Sequence, residues 1–144
     1  MPLLAINLAL AGFMTGVIWF VQIVHYPLMH EVLEPAFRGY ENEHVRKARH
    51  FLGPIMALEL AASIALVALR PVWIAPAIAW GLLLLLLLIW ASTFLIQGPC
   101  HKTLLNGFKP STHSRLVTTN WIRTALWSLR TVILTATTIE AMVA

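Results

Sequence analysis

The chain has 144 residues, of which 59% are hydrophobic and only 11% charged, with a formal net charge of +4. That charged fraction is about half of what a soluble domain carries, and the length allows one domain. The bases fall in short stretches between apolar runs rather than along a solvated stripe, which argues for membrane topology and against nucleic acid as a partner. Cys100 is the single cysteine, so no intramolecular disulfide framework is possible.

Four apolar runs follow in order, at about residues 3–24, 51–69, 77–97 and 117–142. Each is long enough to cross about 30 Å of hydrocarbon as a helix. Met1-Pro2-Leu3-Leu4 offers neither a basic residue nor a cleavage site, so the first run is expected to remain as a membrane helix. Gly12-x-x-x-Gly16 within it has the spacing of close helix packing. Residues 25–50, rich in Glu, His and aromatics, read as a partly helical segment at the interface between helices 1 and 2. Gly53-Pro54 fits the start of the second span. Residues 70–76 turn tightly into the third span, which carries seven consecutive leucines, Leu82 to Leu88. Trp73 and Trp121 suit opposite interfaces as anchors. The fold class is therefore all-α, a transmembrane four-helix bundle forming a single domain.

With four spans, both termini share one side and segments 25–50 and 98–116 share the other. The second side holds Arg38, Arg46, Lys47, Arg49, Lys102, Lys109 and Arg115, against Arg70 alone opposite. This bias makes the two segments cytoplasmic and places both termini outside.

All six histidines fall on the cytoplasmic side. His25 closes span one, His44 precedes span two and His101 follows span three, so helix ends bring them together. Imidazole is the commonest metal-ligating side chain, and Glu41 and His44 have the Glu-x-x-His spacing used in di-iron bundles. His25, Glu41, His44 and His101 are thus expected to hold a redox metal, iron or copper, or a haem. The same histidines also fit plain interfacial residues. His50 lies nine positions before Glu59, about 900° of helix rotation, so the two face apart.

Span four carries a polar stripe: Asn120, Arg123, Thr124, Trp127, Arg130, Thr131, Thr135 and Thr138. An arginine at such depth must face the bundle interior and be paired. Glu59 is the only carboxylate deep in a span, at a depth matching that of Arg130, which predicts a contact between them. That contact reads either as a structural ion pair or as part of a polar pocket, with Arg130 binding an oxyanion and Glu59 moving a proton. Gln22, Ser92, Thr93 and Gln97 reach similar or shallower depths.

Three short motifs resemble the anthrone-oxygenase-like family of small four-helix membrane proteins. They are Ala11-Gly12-Phe13-Met14-Thr15-Gly16 followed by Pro27, then Gln97-Gly98-Pro99-Cys100-His101, then Trp127-Ser128-Leu129-Arg130-Thr131. The resemblance implies oxidation of a lipophilic aromatic substrate. The family pattern has asparagines where this chain has Gln97 and His101, a departure that favours a metal over a cofactor-free mechanism. The functional expectation is a membrane-embedded, oxygenase-like oxidoreductase acting on a lipophilic small molecule from the bilayer, with Glu59, Asn120 and Arg130 as its catalytic residues. The rival expectation is a non-catalytic accessory subunit of a larger membrane complex. A transporter would need the chain to form a homo-oligomer to complete its path.

Overall fold

The computed structural model describes residues 1–143. Four long helices account for almost all of them: α1 (Pro2–Glu31), α2 (Glu34–Ala68), α3 (Pro76–Leu104) and α4 (Pro110–Val143), and each is long and apolar enough to cross a membrane. Every one starts with a proline in its first turn: Pro2, Pro35, Pro76 and Pro110. There the missing N–H costs nothing and the fixed φ suits the helix. α1 packs on α2 and α4, and α3 packs on the same two, giving a four-cornered bundle. The α3–α4 connection turns at Gly107, where φ is +125°, a conformation that side chains rarely adopt.

The interior forms three apolar layers. Leu4, Ala11, Leu66, Leu82 and Leu134 fill the end near the termini, Met14, Met56, Leu86 and Trp127 the middle, and Tyr26, Met29, Phe37 and Leu116 the opposite end. Between these layers lie buried polar side chains, among them Asn7, Glu41, Glu59, Asn120, Arg123 and Arg130. Outside, Phe20, Ile23, Leu58, Leu84, Phe94 and Val132 stand exposed. A protein in water hides its apolar groups and shows its polar ones. The reversed arrangement fits a multi-pass integral membrane protein whose outer surface meets lipid. Trp73 and Trp121 are exposed near opposite ends. The leucine run supplies both sides, with Leu82, Leu83 and Leu86 inside and Leu84, Leu87 and Leu88 outside.

The boundaries differ from the sequence reading at the histidine-rich end of all four helices, each of which runs on past its apolar stretch, the second by most. Residues 34–50 are helical and run straight into the second span, so α2 is a single helix of 35 residues. Pro54 therefore lies inside it rather than at its start; the charged first part extends about 25 Å beyond the apolar part. His50, on this continuous helix, is exposed while Glu59 is buried, as the rotation between them requires. Gly12 and Gly16 have nothing within 4 Å of where a side chain would project, so they do not bring two helices of this chain together.

Two widened turns are not legible in the sequence. α1 has a π-helical turn at Val21–His25 and α3 has another at Thr93–Gln97. Each ends two residues before a proline, Pro27 or Pro99. A proline inside a helix removes one hydrogen bond and crowds the carbonyl four residues back; a wider turn relieves that crowding. Such turns concentrate at functional sites. Gly98 belongs to the same device, since a Cβ there would meet the Thr93 carbonyl at 3.2 Å.

Candidate functional site

The buried polar groups form two separate networks. The first ties all four helices together. Arg130 Nη1 donates to Glu59 Oε1 at 2.7 Å, with both side chains fully buried. Arg130 Nη2 donates to Asn7 Oδ1 at 3.0 Å and its Nε to the Leu82 carbonyl at 3.3 Å. Trp127 Nε1 donates to the other Glu59 oxygen at 3.2 Å, and Asn7 Nδ2 reaches the Leu3 and Ala62 carbonyls. The contact expected from matched depths is present. Neither Glu59 nor Arg130 lines the cavities described below.

The second network lies nearer the histidines, at the level of the π-helical turns. Arg123 Nε and Nη2 both donate to Asn120 Oδ1, at 2.9 and 2.5 Å. Asn120 Nδ2 donates to Gln22 Oε1 at 2.9 Å. Arg123 Nη1 reaches Thr93 Oγ1 at 3.4 Å, and Nη2 reaches the Tyr26 hydroxyl at 3.2 Å. That hydroxyl is 2.9 Å from His101 Nε2, and His101 Nδ1 is 2.6 Å from Glu41 Oε1. With the Glu41 carboxylate as acceptor, His101 Nδ1–H donates to it, and a neutral His101 ring then accepts at Nε2 from the Tyr26 hydroxyl. The result is a carboxylate–imidazole–phenol chain with a guanidinium beside the phenol oxygen. It has the nucleophile–base–orienter form that activates a hydroxyl in other enzymes.

Asn120 thus sits apart from Glu59 and Arg130, with which the sequence reading groups it. The polar stripe of span four holds through Arg130 and then drifts. Leu134 and Thr137 are buried next, while Thr135 is exposed and bonds the Thr131 carbonyl.

The four residues expected to hold a metal do come to one place. His25 Nε2 is 3.0 Å from His44 Nδ1, and the His44 and His101 ring centres are 5.2 Å apart. One nitrogen of His25 and one of His44 bond each other, while both nitrogens of His101 are taken by Glu41 and Tyr26. The four thus form two hydrogen-bonded groups, His25 with His44 and Glu41 with His101. Among the described residues no group of three or more His, Cys, Asp or Glu side chains is disposed to hold a metal ion. The remaining Glu41 oxygen is buried without a hydrogen-bond partner. The other histidines are elsewhere: His30 beside Glu31, His50 on the Arg46 carbonyl, and His113 on the Tyr26 carbonyl. Cys100 is buried against apolar neighbours.

Tyr26 and Arg123 are the residues that sequence reasoning does not select, although Arg123 stands in the polar stripe. Tyr26 has one signal, its place between His25 and Pro27 at the end of span one.

Both side chains line a cavity of about 690 Å³ walled by all four helices, with most of its lining from α2 and α3. One half is apolar, lined by Met14, Ile18, Met56, Trp90 and Trp127; the other presents Tyr26, His44, Arg49, His101, Lys102 and Arg123. A shallower cavity of about 500 Å³ between α1 and α2 shares His44 with it. Apolar walls with a few convergent polar groups are the usual form of a small-molecule site, and the volume lies within the common range of about 300–1,000 Å³. Comparison with protein-family models, curated proteins and solved structures gives no match.

Proposed function

We propose that this chain is a membrane-embedded oxidoreductase, oxygenase-like in its chemistry, acting on a lipophilic substrate that enters the larger cavity from the bilayer between α2 and α3. The observation that carries this reading is the buried chain from Glu41 through His101 to Tyr26, ending beside Arg123 on the cavity wall. Tyr26, relayed by His101, takes a proton from an acidic C–H of the substrate, and Arg123 stabilises the resulting oxyanion. The carbanion or enolate so formed is electron-rich enough for dioxygen to oxidise. A methylene flanked by unsaturated groups then becomes a carbonyl: R₂CH₂ + O₂ gives R₂C=O + H₂O, with dioxygen as the four-electron acceptor. Asn120 positions Arg123, while Glu59 and Arg130 hold the bundle and, through the Trp127 indole, one wall of the cavity. The histidine side is cytoplasmic, following the loop charges.

A redox metal on His25, Glu41, His44 and His101 is the second reading, favoured by the unpartnered Glu41 oxygen. The test is dioxygen uptake by the protein in lipid nanodiscs, supplied with lipophilic aromatics that bear an activated methylene. Uptake with one water formed per dioxygen supports the enzyme; none across the series supports the accessory subunit.

A further inference from the structure

Two arginines stand on the same face of α4, seven residues apart, and their surroundings differ in kind. Arg130 is fully buried and paired with Glu59. Arg123 is only 8% exposed, yet among the described residues no carboxylate lies within 4 Å of it. All its hydrogen bonds go to neutral groups, on Asn120, Tyr26 and Thr93. A buried cation without a counter-charge is costly. It persists where something else supplies the charge.

The cavity wall points to the supplier. It includes Arg49, Lys102 and Arg123, and not one Asp or Glu. Arg49 and Lys102 are exposed and make no ion pair among the described residues. Basic pockets between spans on the cytoplasmic side are suited to anionic headgroups. The opposite half of the cavity is aliphatic and aromatic, and Phe94 stands exposed at its edge. The fork of Arg123 formed by Nε and Nη2 is occupied by Asn120. Nη1 therefore remains as the donor that can turn to a ligand oxygen.

We infer that the substrate taken by this cavity is an anionic amphiphile, its acidic head among Arg49, Lys102 and Arg123 and its apolar body against Met56, Trp90 and Trp127. This inference rests on reading the cavity as the substrate site. The head is a carboxylate or a phosphate, and the two sources of such a group, a free long-chain acid and an acidic phospholipid, are separated by the test.

Trp90 and Trp127 line the cavity, so a brominated ligand quenches their fluorescence on binding. The full-length protein in neutral detergent is titrated with dibromostearate and its methyl ester, then with dibromoacyl phosphatidate and the corresponding phosphatidylcholine. Each anionic probe of the correct source should half-saturate at a concentration at least tenfold below that of its neutral partner. The paired change Arg49→Gln with Lys102→Gln should weaken the anionic probe by roughly tenfold, the scale of one screened unit charge, and leave the neutral one unmoved. Arg123→Gln should act the same way. The exposed pair keeps the test decisive if the buried variant does not fold. Preference for the acid over the ester identifies a free acid, and preference for phosphatidate alone identifies a phospholipid. Equal binding of charged and neutral partners in both series, or indifference to the rim changes, overturns the inference. Binding is read without turnover. If dioxygen uptake fails while the charge preference stands, only the oxidoreductase reading falls; turnover of neutral substrates without that preference removes only this inference.

Discussion

Breaking the Glu59–Arg130 pair should destabilise the bundle in a way that breaking both partners largely reverses. The pair is fully buried at 2.7 Å, and removing one partner leaves the other as an uncompensated charge, a loss of about 3–5 kcal/mol. Glu59→Gln and Arg130→Met should each show a loss on this scale. In the double variant no charge remains. The amide introduced in place of the Glu59 carboxylate would still accept from the Trp127 indole, and Asn7 would keep its bonds to Leu3 and Ala62 while its Oδ1 loses Arg130. One unmet acceptor costs about 1–3 kcal/mol, so the double variant should be no worse than the milder single one. The coupling energy should then be at least the harsher single loss, about 3 kcal/mol. The assay is reversible unfolding of all four proteins in mixed micelles. Losses that add to within about 0.5 kcal/mol, the behaviour of independent sites, would mean that Glu59 and Arg130 do not act as a pair, because a network closed on itself cannot be additive.

The loop charges predict sidedness: in intact cells Asn106→Cys should resist an impermeant thiol reagent and Val72→Cys should react, and the reverse labelling would invert the topology. A metal on the histidines predicts stoichiometric iron or copper in purified protein, with His44→Ala and His101→Ala each lowering affinity roughly tenfold; metal-free protein with unchanged activity removes that reading. Gly107→Ala should cost about 1–3 kcal/mol by backbone strain alone. A Cβ there would meet only ordinary contacts, the nearest at 3.6 Å from Arg38, so loss of the same size in Gly53→Ala, an open helical site, would contradict the assignment.

Apolar length and charge placement are enough to read the spans, because lipid leaves a helix few alternatives. The Glu59–Arg130 contact is equally legible: Glu59 is the one carboxylate deep in a span, and matching its depth selects Arg130 over Arg123, two turns away. The second network is harder to see. Its members come from all four helices, and π-helical turns at Val21–His25 and Thr93–Gln97 shift the phase of α1 and α3. Counting residues along an ideal helix therefore misplaces Tyr26 and His101 relative to the rest of their spans. Tyr26 also escapes because a tyrosine at a membrane interface is common, and only its three-way contact with His101 and Arg123 sets it apart. Histidine spacing gathers His25, His44 and His101 at one end, but which ring nitrogen pairs with which group is a matter of ring orientation that spacing does not encode. Pro54 reads as a helix start because proline is commonest there; the preceding charged residues instead continue the helix into water, where no bilayer thickness limits its length.

In the proposed reaction the Glu41–His101–Tyr26 chain beside Arg123 performs the chemistry. Tyr26→Phe removes one oxygen and leaves the ring in its packing, so the protein should unfold within about 1–2 kcal/mol of the parent, the worth of its lost hydrogen bonds. Loss of a proton-transfer group should lower turnover by about 10²–10⁴-fold. Dioxygen uptake in nanodiscs, measured on the parent and on Tyr26→Phe at matched folded fractions, tests this directly. Uptake by the parent and its near-abolition in Tyr26→Phe are expected; equal rates in the two proteins would remove Tyr26 from the proton transfer.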